Sequence, residues 1–115
     1  MGILQGCSDG YWKTHTDSWA ATEFDTDDLF DNVFGRNAFP ELTLLDVLNT
    51  GGGGLDALGR QTVGALLNSA HPSVNYPLTT AEVITLFQTA FDSGNYEAQK
   101  NAFEAFNKNL PCPLN

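Results

Sequence analysis

The chain has 115 residues, with 14 Asp+Glu against 5 Lys+Arg and a formal net charge of -9. That balance excludes the basic stripe with which nucleic-acid binders neutralise phosphates, and it opposes adhesion to an anionic membrane. Hydrophobic residues make up 42% and include 8 Phe, enough for a core, yet apolar runs stop at two to three residues, far short of the ~20 that cross a bilayer.

The elements follow in chain order. Residues 1–22 read as an irregular entry: Ser8-Asp9-Gly10 is a turn signal, and Tyr11, Trp12 and Trp19 supply large apolar anchors. A short helix is expected at Asp17–Ala21. Thr26 is positioned to cap a helix that runs to Phe34, with Gly35 just beyond its end. Leu29, Phe30, Val33 and Phe34 have helical spacing within it. Thr43 caps a short helix, Leu44–Asn49, and the run Gly51–Gly54 then forms a loop.

A longer helix is expected at Leu55–Ala70, with Leu58, Val63, Ala65, Leu66 and Leu67 turned inward and Pro72 stopping it. Gly59 and Gly64 each cost this helix about 1 kcal/mol of propensity, which close packing against a neighbour would justify. Thr79 and Glu82 form a capping box that opens a helix at Thr80–Asp92, with Val83, Ile84, Phe87, Ala90 and Phe91 in one stripe. Gly94 ends it, and Asn95 precedes a last helix, Tyr96–Asn109. There Tyr96, Ala102, Phe103, Phe106 and Leu110 are read as inward. Glu97/Lys100 and Glu104/Lys108 stand at ion-pair spacing. No segment alternates with a period of two. The fold class is therefore all-α: one compact domain, residues 1–115, of four to six helices.

Cys7 and Cys112 are the two cysteines, near opposite ends of the chain. Two thiols do not complete a structural zinc site. A disulfide between them would close a loop of roughly 100 residues, worth up to about 4–5 kcal/mol in the chain-entropy model, and would imply an oxidising compartment. The alternative is two unpaired buried thiols. Residues 1–10 show no export signal, so secretion would require a removed leader or another route. Leu4-Gln5-Gly6-Cys7 also looks like the end of a lipoprotein signal, and a lipidated Cys7 would be unable to pair with Cys112.

Five acids crowd into nine residues: Glu23, Asp25, Asp27, Asp28 and Asp31. Such crowding is unfavourable unless water or a cation screens it. Ca²⁺ takes six to eight oxygen ligands, so Asp25, Asp27, Asp28 and Asp31 are candidate metal ligands. Asp25-x-Asp27 begins like an EF-hand loop, but Arg36 stands where its closing Glu belongs. The competing view is a solvated helix start whose acids answer the helix dipole.

No catalytic set emerges. There is no nucleophile elbow, and His15 and His71 form no metal-binding pair, so hydrogen-bonded structural roles are expected for both. The four glycines do not make a phosphate cradle, because Leu55-Asp56 stands where a Lys-Ser/Thr is needed.

Several segments together resemble a family of secreted bacterial domains, mostly of unassigned function. They are Gly6-Cys7-Ser8-Asp9-Gly10-Tyr11-Trp12-Lys13-Thr14-His15 followed by Trp19, then Phe34-Gly35, Thr43–Gly54, Leu58–Gln61, Ala65–Pro72, Val74–Pro77, Thr79–Ile84 and the closing Cys112–Leu114. The resemblance spans nearly the whole chain and departs from the pattern at Asp9, where Pro is usual. It implies export, a terminal cysteine pair and an extracellular or cell-surface setting, and it carries over no catalytic residue.

The function expected from these readings is an extracellular structural protein that assembles with copies of itself into a filament, tube or surface layer, stabilised by Ca²⁺. The alternative is a monomeric secreted module that binds carbohydrate or another cell-surface ligand through Tyr11, Trp12 or Trp19. Neither is an enzyme.

Overall fold

In the computed structural model, which describes residues 2–114, the fold centres on one helix that is buried almost all round. The elements run α1 (Asp9–Thr14), a 3-10 helix (Thr16–Thr22), α2 (Phe30–Phe34), α3 (Leu44–Leu48), α4 (Gly54–Ala70), α5 (Thr80–Ser93) and α6 (Tyr96–Lys108). Among the described residues no strand forms, and Leu29 and Thr43 make an isolated bridge. The all-α reading holds, and a Cys7–Cys112 disulfide joins the two ends. With the Cys7 sulfur taken up in that bridge, the lipidated alternative does not describe this structure.

Eleven of the 17 residues of α4 are buried, which fits a helix packed on several sides by α1, α3, α5 and α6. Its glycines explain how the neighbours come so close. A Cβ at Gly59 would stand 2.6 Å from the Phe39 ring and 2.9 Å from Val47, and one at Gly64 would stand 3.0 Å from Asn107 Nδ2. The aromatic side of the core lies beneath α2 and α5, where Phe30 meets Phe34 at 4.4 Å, Phe39 at 4.8 Å and Phe87 at 5.0 Å between ring centroids. Stacked and edge-on geometries of this kind add to plain area burial.

The caps are local chemistry. Thr43 and Asp46 form a reciprocal capping box on α3, and Thr79 and Glu82 form one on α5. Gly35 (φ 65°) and Gly94 (φ 78°) take the left-handed conformation that terminates α2 and α5. In the glycine loop, Arg60 donates to the carbonyls of Thr50 (3.3 Å) and Gly52 (2.7 Å), tying the loop back to α4. A fork of two 2.8 Å hydrogen bonds from Arg36 to Asp92 joins the ends of α2 and α5.

Three local expectations are corrected. The entry is not irregular: the Ser8 hydroxyl accepts from the Tyr11 amide and caps α1, with Gly10 inside the helix. Thr26 does not cap α2. Phe30 N donates to Leu42 O (3.0 Å) and Leu44 N to Asp28 O (2.8 Å), and this pairing holds Leu29 extended, so the helix begins at Phe30. Ala102 faces solvent, while Phe103 and Asn107 occupy the inner side of α6.

Candidate functional site

The acidic segment is folded by its own backbone. The 3-10 helix ends at Glu23, whose left-handed φ of 71° reverses the chain. The buried Thr22 hydroxyl donates to Trp19 O (2.7 Å) and accepts from Phe24 N (3.1 Å), locking the reversal. Asp28 then closes a tight loop: its Oδ2 accepts from Asp25 N (2.9 Å) and its amide donates to Asp25 O (3.1 Å).

The result is a cleft of about 380 Å³ lined by Asp17, Asp25, Asp27 and Asp28, with the buried Trp19 beneath and no basic residue on its walls. Asp17 reaches it from the 3-10 helix and was not among the sequence candidates. The signal for it was its spacing two residues before Trp19, which places it beside the same anchor. Asp31 lies apart. Its Oδ1 accepts from the amides of Ala38 (3.0 Å) and Phe39 (2.9 Å), so this carboxylate holds the loop after α2. Three of the four expected metal ligands therefore share the cleft and the fourth does not. Among the described residues, no three His, Cys, Asp or Glu side chains are grouped closely enough to hold an ion by themselves.

A second polar centre lies beside the disulfide. Asn68 of α4, fully buried, accepts from Cys7 N (2.8 Å) and the Trp12 indole (3.2 Å), and donates to Cys7 O (2.8 Å) and Asn107 Oδ1 (3.1 Å). Asn107 of α6 donates to the backbone and side-chain oxygens of Gln61 (3.0 and 3.1 Å) and accepts from the Tyr76 phenol at 2.6 Å. Burial pushes the Tyr76 pKa well up, so its hydroxyl stays protonated and serves as a donor. Every amide atom of Asn68 and Asn107 is used. The network therefore fixes the entry segment, α4 and α6 against one another. Sequence reasoning missed it, although Gln61, Asn68 and Asn107 sit on otherwise apolar helix faces.

The aromatic residues that a sugar platform would need are inside: Tyr11, Trp12 and Trp19 are 8%, 0% and 2% exposed. The histidines have local partners. His15 stacks on Tyr11 at 4.2 Å, and its Nδ1 donates to Tyr11 O (3.0 Å). His71 Nδ1 accepts from Ser73 N (3.1 Å), and desolvation lowers the His71 pKa, favouring the neutral ring. Among the described residues no helix is long and apolar enough to cross a membrane.

No protein-family model, curated protein or solved structure matches the chain.

Proposed function

We propose that the protein is an extracellular structural subunit that assembles with copies of itself, with Ca²⁺ shared at the acidic cleft. The observation that carries this is the cleft itself, where Asp17, Asp25, Asp27 and Asp28 gather without a cationic residue to offset them. Like charges held together by a rigid backbone are relieved by a divalent cation. Because the described residues of one copy do not group three ligands, an ion there would complete its shell from water and from a second copy, which couples cation binding to assembly. The disulfide supports the extracellular setting, since such bridges persist in oxidising surroundings, and the buried amide network gives the rigid body that suits a repeating assembly. The proposed role is structural and not catalytic.

The test is particle size and melting temperature in calcium and in EDTA, with Asp25→Asn/Asp27→Asn alongside. Chelation should dissolve assemblies and lower the melting temperature of the unaltered chain, and the double variant should behave as if chelated already. Identical size and melting in both solutions would remove calcium from the proposal.

A further inference from the structure

The Cys7–Cys112 bridge is unequal on its two sides. Cys7 is fully buried and its backbone is clamped, with its amide donating to Asn68 Oδ1 (2.8 Å) and its carbonyl accepting from Asn68 Nδ2 (2.8 Å). Cys112 is half-buried and lines a cleft of about 250 Å³ together with Ser8, Tyr11, Asn107 and Lys108. Cys7 is not on the walls of that cleft.

The segment that carries Cys112 has few other ties. It lies beyond the end of α6, in no helix. Among the described residues, its hydrogen bonds to the rest of the chain are Gly6 N to Pro111 O (3.1 Å) and the Tyr11 hydroxyl to Leu114 O, which at 3.5 Å is long for such a bond. Pro111 and Pro113 have no amide hydrogen to offer. Without the bridge, the Cys7 side therefore keeps its anchors and the Cys112 side loses its strongest one.

Thiol–disulfide exchange begins when a thiolate reaches one of the two sulfurs, and access decides which one is attacked. We infer that the bridge is a redox-released latch, opened at Cys112 by a small-molecule thiol. The thiolate bonds to Cys112 Sγ, the electron pair of the sulfur–sulfur bond leaves with Cys7 Sγ, and that sulfur takes a proton from water. Residues 111–114 then swing free as a mixed disulfide, while Asn68 holds Cys7 in place. A second molecule of the thiol attacks the thiol sulfur of the adduct, departs as the symmetric disulfide and frees Cys112, so that two thiols are oxidised and one bridge is reduced. Release withdraws the half-buried Leu114 from the edge of the core and takes the acceptor from Gly6 N. Oxidising surroundings keep the latch shut.

The experiment treats the full chain with 2-mercaptoethanol and follows its helices by circular dichroism. Brief exposure, acid quenching and peptide mass mapping should place the adduct on Cys112 in about tenfold excess over Cys7. In the fully reduced chain the helices should persist. Amide exchange read by nuclear magnetic resonance should then quicken about tenfold at Gly6, which loses Pro111 O, and stay slow at the adjacent Cys7, which keeps Asn68. Iodoacetamide, a neutral probe, should alkylate Cys112 in Cys7→Ser about tenfold faster than Cys7 in Cys112→Ser. An adduct shared evenly between the two cysteines, equal alkylation of the two variants, Gly6 and Cys7 amides that quicken together, or loss of the helices on reduction would overturn the latch.

Discussion

Asn68→Ala is the sharpest probe of how the fold holds its ends. Removing the amide strands three buried groups: Cys7 N, Cys7 O and the Trp12 indole N–H, all on residues with 0% exposure. Asn107 Oδ1 loses one donor but keeps the Tyr76 hydroxyl. An orphaned buried donor or acceptor costs about 1–3 kcal/mol; taking about 1–2 for each, since water can enter the space vacated, gives a loss of about 3–6 kcal/mol. Native domains hold only about 5–15 kcal/mol in total, so the variant should be severely weakened. At about 4 °C per kcal/mol, the melting temperature should fall by about 12–24 °C. The assay is thermal and urea unfolding under non-reducing conditions, so that the disulfide is intact in both proteins. A loss below about 1 kcal/mol would show that the network is replaceable and that the bridge alone fixes the entry segment.

Two further outcomes are expected. Gly59→Ala should destabilise by up to about 2 kcal/mol in urea, because overpacking against Phe39 and Val47 costs about 1–3 kcal/mol against the roughly 1 kcal/mol gained in helix propensity; Gly51→Ala, with nothing within 4 Å of its new methyl, should stay within about 0.5 kcal/mol. Asp92, hydrogen-bonded to Arg36, has its pKa lowered on folding, so it adds stability above its unfolded value and loses it as pH falls through the folded one. Asp92→Asn should therefore melt lower than the unaltered chain at pH 7, with the gap closing in acid below about pH 4, as read from melting temperature against pH. A gap that widens in acid would contradict that sign.

Local signals carried much of the fold. Thr79 with Glu82, Thr43 with Asp46, and Gly35 and Gly94 are residues whose chemistry acts within a few positions, and each stands where its sequence pattern places it. The ion pairs Glu97–Lys100 (3.3 Å) and Glu104–Lys108 (3.0 Å) belong to the same class. Longer-range effects were hidden. The start of α2 depends on backbone pairing with residues 42–44, which no pattern within residues 26–34 encodes. The Asn68–Asn107 bond joins residues 39 apart, and the Asn68–Cys7 bonds join residues 61 apart. At the acidic cleft the crowding of Asp25, Asp27 and Asp28 was visible, whereas Asp31's departure was not. Its role depends on Ala38 and Phe39 folding back over α2.

The covalent link between Cys7 and Cys112 also has a mechanical meaning. The two Cα atoms are 4.6 Å apart, although 105 positions separate them along the chain. Tension that enters ahead of Cys7 and leaves beyond Cys112 runs through one sulfur–sulfur bond, and the helices between hang outside the load path. A copy pulled at those two points keeps its helical body unloaded until the sulfur–sulfur bond itself is broken.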